Sequence, residues 1–244
     1  MSVEEVDTGT ILQMTKADAR APGLLEFGQK QRARAVVVIA HGGKSKDQRA
    51  DSHLRPAALR MLPFSLDLGR RGRDLGLAVA QLRYRSVGFN DGDPVRDLWW
   101  ALDRMADRHD APICVVGHSM GARAAVLASG HPAVTAVAGL ATWIIPDDAI
   151  DQAAGRTVML AHGLRDRVTD PAGSYALAVG LREAGARACR FEVARAGHTM
   201  LDRSSVWHAL TRRFAFGALG LEPVDDQIAR AFDQPADRGC RILV

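Results

Sequence analysis

The sequence contains few cysteines and few aromatic residues, and it has no long apolar run. The cysteines number three, an odd count, and Cys114 and Cys189 lie inside apolar stretches, which is typical of reduced thiols packed in strands. No apolar stretch approaches the roughly 18 residues of a membrane span, and residues 1–5 lack the apolar segment of a signal peptide. We therefore expect a soluble, cytoplasmic protein with no membrane span.

A strong excess of charge of one sign is also missing. The chain has 32 lysines and arginines against 28 aspartates and glutamates, and no basic stripe alternates with aromatic residues. Cysteine and histidine spacings of the zinc type are absent, as are paired histidines one helical turn apart. We therefore expect no nucleic-acid partner, no metal and no cofactor, and the sequence does not indicate the oligomeric state.

Apolar runs and helical patterns alternate along the 244 residues. The apolar runs predict strands at 35–40, 77–83, 113–116, 133–141, 157–161 and 188–193. The helical patterns predict helices at 57–61, 65–75, 95–108, 122–128, 171–184 and 206–217. This alternation indicates an α/β fold, a mostly parallel central sheet of about 7–8 strands with helices on both faces. Ligands of such sheets bind beyond the carboxyl ends of the strands.

The length fits one domain, which we place at residues 1–220. Residues 1–34 are hard to assign, and we expect short edge strands within them at 10–14 and 23–27. No internal repeat and no linker rich in Pro, Gly or Ser marks a second domain. Residues 221–244 are expected to form a charged tail that is helical in part.

A Gly-x-Ser-x-Gly motif stands between a predicted strand and a predicted helix. It reads Gly117-His118-Ser119-Met120-Gly121, with an apolar run before it and an alanine-rich run after it. Glycine at the two ends leaves room where a Cβ would clash between strand and helix. The motif therefore predicts a sharp turn that presents the Ser119 hydroxyl above the sheet, at a helix N-terminus.

A serine nucleophile needs a base and an acid that orients the base. His198 follows the last predicted strand, in a Gly-His-Thr turn, and Asp166 follows the strand at 157–161, in His-Gly-Leu-Arg-Asp. Both side chains are expected at the same edge of the sheet as Ser119. The sequence therefore predicts a triad in the chain order serine, aspartate, histidine.

Other roles for these residues stay open at this point. Ser119 also fits a helix cap and His198 an ordinary loop histidine. An acid one strand earlier would be Asp147 or Asp148 instead of Asp166. The aspartate just before Pro171 fits a helix N-cap.

The order of these motifs resembles the α/β-hydrolase fold superfamily. The resemblance covers about residues 35–217. It rests on four stretches that each follow a predicted strand: 41–43 (His-Gly-Gly), 117–121, 162–166 and 197–199. The resemblance implies a serine hydrolase of the esterase, thioesterase or dienelactone-hydrolase kind.

The resemblance also implies a role for each site residue. Ser119 would attack an acyl carbon, His198 would move the proton, and Asp166 would orient His198. The backbone N–H groups of Met120 and Gly43 would hold the oxyanion. A non-catalytic member of the fold that binds a ligand or a partner is the alternative, and so is an acyltransferase or lactone hydrolase that uses the same triad.

The surroundings of the site are predicted less specifically. The connection at 142–156 is too short for the lid domain that this superfamily often inserts there, so we expect a site that is open or is covered only by the 44–56 loop and residues 142–150. Candidates for the substrate pocket are Gly42, Trp143, Ile144 and Tyr84. We expect a small-molecule acyl ester or thioester as the substrate.

A basic loop at 44–56 borders the predicted site. Its cations, Lys44, Lys46 and Arg49 among them, would suit an anionic substrate such as a phosphate-bearing carrier. A solvated, mobile surface loop is the other interpretation of the same residues.

Overall fold

The structure is a computed structural model that describes residues 21–244. At its centre lies an eight-stranded sheet. The strands are β1 (Gly23–Gly28), β2 (Ala35–Ala40), β3 (Leu77–Arg83), β4 (Ile113–His118), β5 (Val134–Leu140), β6 (Thr157–Gly163), β7 (Arg187–Val193) and β8 (Ile242–Leu243). Their order is β1-β3-β2-β4-β5-β6-β7-β8, and only β1, which pairs with β3, runs antiparallel to its neighbour.

Helices cover both faces of the sheet. They are α1 (Pro56–Gly72), α2 (Asp93–His109), α3 (Met120–Leu127), α4 (Pro171–Glu183), α5 (Ser204–Ala218), α6 (Asp226–Asp233) and α7 (Ala236–Gly239). One core contains apolar residues of α2, α3 and α4, and the other contains those of α1, α5 and α6. The predicted α/β fold class is thereby confirmed. None of the helices within residues 21–244 is long and apolar enough to cross a bilayer.

The central strands follow directly from their composition. All six residues of β2, Ala-Val-Val-Val-Ile-Ala, are buried, because helices cover both faces of this part of the sheet. The edge strand expected at 23–27 is present as β1. The strand expected at 10–14 lies outside the described residues.

The region after β2 differs from the prediction. Separate helices were expected at 57–61 and 65–75, but one helix, α1, runs through Pro63. Proline leaves the carbonyl four residues earlier without its helical partner, and that carbonyl belongs to Leu59, an exposed residue. Met61 and Phe64 on either side of the proline are buried in the core, so packing holds the helix together.

Residues 221–244 do not form a separate tail. They contain α6 and α7, and they end in β8, which extends the sheet beside β7. Arg182 donates hydrogen bonds to the carbonyls of Gln234 (2.6 Å) and Ala231 (3.1 Å). Arg190, which is fully buried, donates to the carbonyl of Cys240 at 3.0 Å. The C-terminal segment is therefore part of the same folded unit.

The cysteines are buried and unpaired. Cys114 lies in β4 and Cys189 in β7, as expected of packing residues. Burial raises the pKa of the Cys114 thiol to about 12. Burial also raises the pKa of Cys189, so both thiols stay protonated and neither is suited to act as a nucleophile.

The connection between β5 and β6 is short. Residues 141–156 contain one 3₁₀ turn, Asp151–Ala153, and no inserted domain. The expectation of a fold without a large cap domain is confirmed. The carboxyl ends of β4, β5 and β6 are therefore not covered by a domain from this connection.

Candidate active site

The turn after β4 holds Ser119 in a strained conformation. Its φ and ψ angles are 54° and −115°, a backbone conformation that few residues other than glycine adopt. A Cβ on Gly117 would overlap the backbone of Gly121 and Ala122, and one on Gly121 would overlap the carbonyl of Ala40. The two glycines thus allow strand and helix to meet closely with the serine at the apex.

Three predicted residues meet in one hydrogen-bonded row. Nε2 of His198 lies 3.1 Å from Oγ of Ser119, and Nδ1 of His198 lies 2.8 Å from Oδ2 of Asp166. A carboxylate can only accept, so Nδ1 carries the proton and Nε2 is free to accept from the serine hydroxyl. This is the arrangement by which an imidazole withdraws a proton from a serine.

The acid is surrounded by donors. Oδ1 of Asp166 accepts from the backbone N–H groups of Val168 (2.8 Å) and Thr169 (3.0 Å). Oδ2 accepts from the Thr169 hydroxyl at 2.9 Å and from Nε2 of His162 at 3.1 Å, besides His198. Burial opposes ionisation, but the hydrogen bonds from His162, Thr169, His198 and Val168 outweigh it and hold the pKa of Asp166 well below its usual range.

His162 is a residue of the site that the sequence analysis did not single out. It is fully buried near the end of β6, and its ring donates to the same carboxylate oxygen as His198. The signal was present in the sequence as a histidine four residues before Asp166, at a strand end. That pattern was used only to choose the aspartate.

His118, just before the nucleophile, supports the histidine loop. Its Nε2 donates to the backbone carbonyl of His198 at 3.0 Å. Burial, and then the neighbouring His198, lower the pKa of His118 to about 3. A neutral His118 therefore fixes the backbone that carries the His198 ring.

The earlier acids are engaged elsewhere. Oδ1 of Asp148 pairs with the Arg123 guanidinium at 2.7 Å, and Oδ2 accepts from the backbone N–H of Ile145 at 3.0 Å. The guanidinium lies 4.0 Å from the Phe89 ring centroid and 4.5 Å from that of Trp143. Asp148 therefore neutralises a buried arginine and is not the partner of His198.

Two more aspartates can be assigned. Asp170 caps α4 by accepting from the backbone N–H of Ala172 at 2.8 Å. Asp147 is exposed, and within residues 21–244 it forms no ion pair. Asp166 is the aspartate that the fold brings to His198.

The two residues named from the motif as backbone donors, Met120 and Gly43, lie close together. A Cβ on Gly43 would overlap the Met120 side chain, so these residues are in contact. Among the described residues, no carbonyl or side chain accepts a hydrogen bond from the N–H of Met120 or of Gly43. Gly43 is exposed. Unpaired N–H groups in this position are what an oxyanion requires.

The predicted pocket residues are partly brought together. A Cβ on Gly42 would lie 3.4 Å from Cβ of Ser119. The N–H of Trp143 donates to the Ser119 carbonyl at 3.4 Å, and the Trp143 ring stands edge-on to Phe89. Ile144 is partly exposed and faces the first turn of α4. Gly42 and Trp143 thus adjoin the nucleophile directly.

Tyr84 is placed differently from its prediction. It is fully buried, its ring centroid lies 4.7 Å from that of His41 in an edge-on arrangement, and its hydroxyl is enclosed without a hydrogen-bond partner among residues 21–244. A side chain with no exposed surface does not line an open pocket, so its predicted pocket role does not fit. Tyr84 directly follows β3, whose residues are all buried, so the chain is still inside the fold at this position.

The basic loop is joined to the segment after β3. Lys44 donates its N–H to Val87 at 3.1 Å, Phe89 donates to the Lys44 carbonyl at 2.7 Å, and the two segments form a bridge at Lys44 and Gly88. Asp47 pairs with Arg49 at 2.6 Å and with Lys44 at 3.4 Å. These backbone bonds favour an ordered loop, and an acid of the loop already neutralises part of its positive charge.

Of three comparisons with known proteins, only the one with solved structures found similar proteins, and these agree with the architecture described above. No protein-family model matches the sequence, and no curated protein matches it either. Among solved structures, the chain is similar to a thermophilic esterase from the Planctomycetes species Thermogutta terrifontis, with a TM-score of 0.62 and 15% identity over 87% of this chain and 92% of that one. It is also similar to an α/β serine hydrolase homologue from Coxiella burnetii, with a TM-score of 0.60 and 15% identity over 79% and 91%.

A third similar structure is a serine hydrolase without a lid from Xanthomonas campestris. The TM-score is 0.55, with 15% identity over 80% of this chain and 88% of that one. At such low identity the likeness concerns the fold. The chain has the α/β-hydrolase fold, in the arrangement that lacks a large cap domain.

Proposed function

We propose that this chain is a serine hydrolase that cleaves a carboxylic ester or thioester through an acyl-serine intermediate. The observation that carries the proposal is the continuous row from Ser119 Oγ through His198 to Asp166, with contacts of 3.1 and 2.8 Å. Ser119 also lies on a strained turn at the carboxyl end of β4, which a chance contact of the three side chains would not require. The similar structures include esterases, which supports the same reaction class.

The reaction follows from what each group can do. Ser119 Oγ attacks the carbonyl carbon while Nε2 of His198 takes the hydroxyl proton, and the negative charge moves to the carbonyl oxygen. The N–H groups of Met120 and Gly43 donate to that oxygen. The intermediate collapses, the C–O or C–S bond breaks, and the leaving alcohol or thiol takes the proton from His198.

Water then repeats the sequence on the acyl-enzyme. His198 takes a proton from water, the hydroxide attacks the acyl carbon, and Ser119 leaves with the proton returned. Asp166 stays ionised throughout and stabilises the imidazolium that forms in each half. The net change is hydrolysis of one ester or thioester to an acid and an alcohol or thiol.

Three exposed apolar side chains lie near the triad in the sequence. Leu164 and Val168 flank Asp166 and are 44% and 73% exposed, and Leu201, three residues after His198, is 71% exposed. Exposed leucine and valine side chains favour contact with apolar groups. We therefore propose that an acyl or alkyl chain of the substrate contacts these side chains.

A panel of acyl esters and acyl thioesters of graded chain length tests the proposal. We expect the purified protein to hydrolyse at least one series, and Ser119→Ala, with the same thermal unfolding, to lose that activity. Preference for short esters indicates a small carboxylesterase. Thioester preference that weakens with salt indicates that cations of the 44–56 loop meet an anionic carrier. No turnover in either series contradicts the proposal.

A further inference from the structure

A second histidine–aspartate contact is buried beside the site. Nε2 of His41 lies 2.9 Å from Oδ2 of Asp51, and the two residues are 2% and 6% exposed. His41 follows β2 directly, whereas Asp51 belongs to the 44–56 loop. The same Asp51 oxygen accepts from the backbone N–H of Tyr84 at 3.3 Å. Asp51 therefore joins the loop to the ends of two central strands.

The other ring nitrogen of His41 holds a particular carbonyl. Nδ1 lies 2.8 Å from the Gly42 carbonyl oxygen, and because a carbonyl only accepts, Nδ1 is the donor. Nε2 forms no hydrogen bond within residues 21–244, but the Asp51 carboxylate at 2.9 Å confines this side of the ring by contact. The ring is also packed edge-on against Tyr84. These contacts leave the His41 ring little freedom to rotate.

The Gly42 carbonyl and the Gly43 N–H belong to one peptide unit. No described peptide bond is cis, and in a trans peptide the C=O and N–H point in opposite directions. The Gly43 N–H is therefore directed away from His41. A Cβ on Gly42 would lie 3.4 Å from Cβ of Ser119, so the peptide unit that carries this N–H adjoins the nucleophile.

We propose that His41 and Asp51 are a positioning pair that holds the Gly43 N–H toward the oxyanion of the substrate. The inference rests on the proposed function and names the device that orients one of its donors. A backbone N–H flanked by glycines is otherwise free to turn, and glycine resists that turning least of all residues. Both side chains are buried, so they act on the donor and do not touch the substrate.

The pair should change the transition state more than substrate binding. An oxyanion exists only after attack, so a misdirected Gly43 N–H lowers kcat and leaves KM nearly unchanged. The pH midpoint of kcat/KM should also stay in place, because the contacts of His198 are not altered. A loss of folded protein would also lower the apparent kcat without changing KM, so the affinity for an inhibitor that forms the oxyanion, which does not depend on the amount of folded protein, separates the two cases.

Three substitutions test the pair on the ester that the wild type hydrolyses best. His41→Leu removes the donor to Gly42, and we expect kcat to fall by about 10- to 100-fold, less than the full loss of an oxyanion donor. His41→Asn places an amide N–H near the position of Nδ1, and we expect it to recover most of kcat. Asp51→Asn should lower kcat by about 10-fold, with KM within about twofold of wild type.

A trifluoromethyl ketone analogue gives a second readout, because it forms the oxyanion on the enzyme. Its inhibition constant should rise in His41→Leu and Asp51→Asn by the same factor by which kcat falls. The matched control is Asp103→Asn, which alters an aspartate 3.1 Å from His131, away from the site. We expect no change in kcat for that variant.

The proposal is overturned if Asp51→Asn and His41→Leu keep kcat and analogue affinity within about twofold of wild type. It is also overturned if His41→Asn is no better than His41→Leu, or if kcat and the pH midpoint shift together. If His41→Leu does not fold, Asp51→Asn and His41→Asn decide the outcome by the same criteria. An inactive wild type would instead contradict the proposed function itself.

Discussion

Two aspartate–histidine contacts lie at the same edge of the sheet, and they are built for different tasks. Asp166 contacts His198 at 2.8 Å and Asp51 contacts His41 at 2.9 Å. The second nitrogen of His198 faces a serine hydroxyl, which can give up its proton. The second nitrogen of His41 faces a carbonyl, which can only accept. The first contact therefore suits proton transfer and the second suits fixed orientation.

Exposure separates the two contacts in the same way. The His198 side chain is 12% exposed, so part of this side chain is open to solvent. The His41 side chain is sealed at 2%. Asp166 also receives donors on both oxygens, whereas Oδ1 of Asp51 is buried without a hydrogen-bond partner in the described part of the chain. The atom that faces the second ring nitrogen therefore decides the role of such a pair.

Asparagine substitutions should separate the two pairs most strongly. Asp166→Asn removes the charge that stabilises imidazolium and favours the wrong tautomer of His198, so we expect kcat to fall by about 10⁴-fold. Asp51→Asn is expected to lose far less, as described above. Steady-state kinetics of both variants on one ester provide the measurement. Equal losses of kcat in the two variants would contradict the distinction between proton transfer at His198 and fixed orientation at His41.

A smaller effect, on the pH dependence of stability, is expected from His118, which donates a hydrogen bond to the backbone carbonyl of His198. Its pKa of about 3 lies below the ordinary value of 6.5. Between these two pH values the histidine is protonated in the unfolded chain and neutral in the folded chain. Stability from this residue is complete above pH 6.5 and is lost as the pH falls toward 3, at about 1.4 kcal/mol per pH unit.

Denaturant unfolding at pH 7 and pH 5 measures this effect. His118→Gln keeps a donor near Nε2 but has no titrating ring, so its free energy of unfolding should fall by about 2 kcal/mol less than that of wild type over this interval. Equal falls in the two proteins would show that His118 is not held neutral by the fold.

Where composition alone decides a structure, the prediction was accurate. Residues 35–40 are apolar without exception, and β2 has those limits. The alternation of strands and helices is confirmed as an α/β fold. The glycines on either side of Ser119 meet a steric requirement that is local in the chain, so the sharp turn at 117–121 could also be predicted.

Where distant contacts decide, the sequence was insufficient. β8 has two residues, Ile242–Leu243, and exists because it pairs with β7. The burial of Asp51 depends on contacts with His41 and Tyr84, which follow two different strands, so the sequence did not indicate which residue of the 44–56 loop would be buried. Tyr84 itself is turned inward by packing. The two helices predicted at 57–61 and 65–75 are one helix, α1, because Met61 and Phe64 pack into the core on either side of Pro63.

Covalent labelling of Ser119 tests the central claim most directly. The protein is incubated with a fluorophosphonate, and the adduct is detected by intact mass and located by peptide mapping. We predict one adduct, on Ser119, in the wild type, and none in a folded Ser119→Ala variant. An unlabelled wild type, under conditions that label other serine hydrolases, or an adduct on another residue, would contradict the assignment of Ser119 as an activated nucleophile.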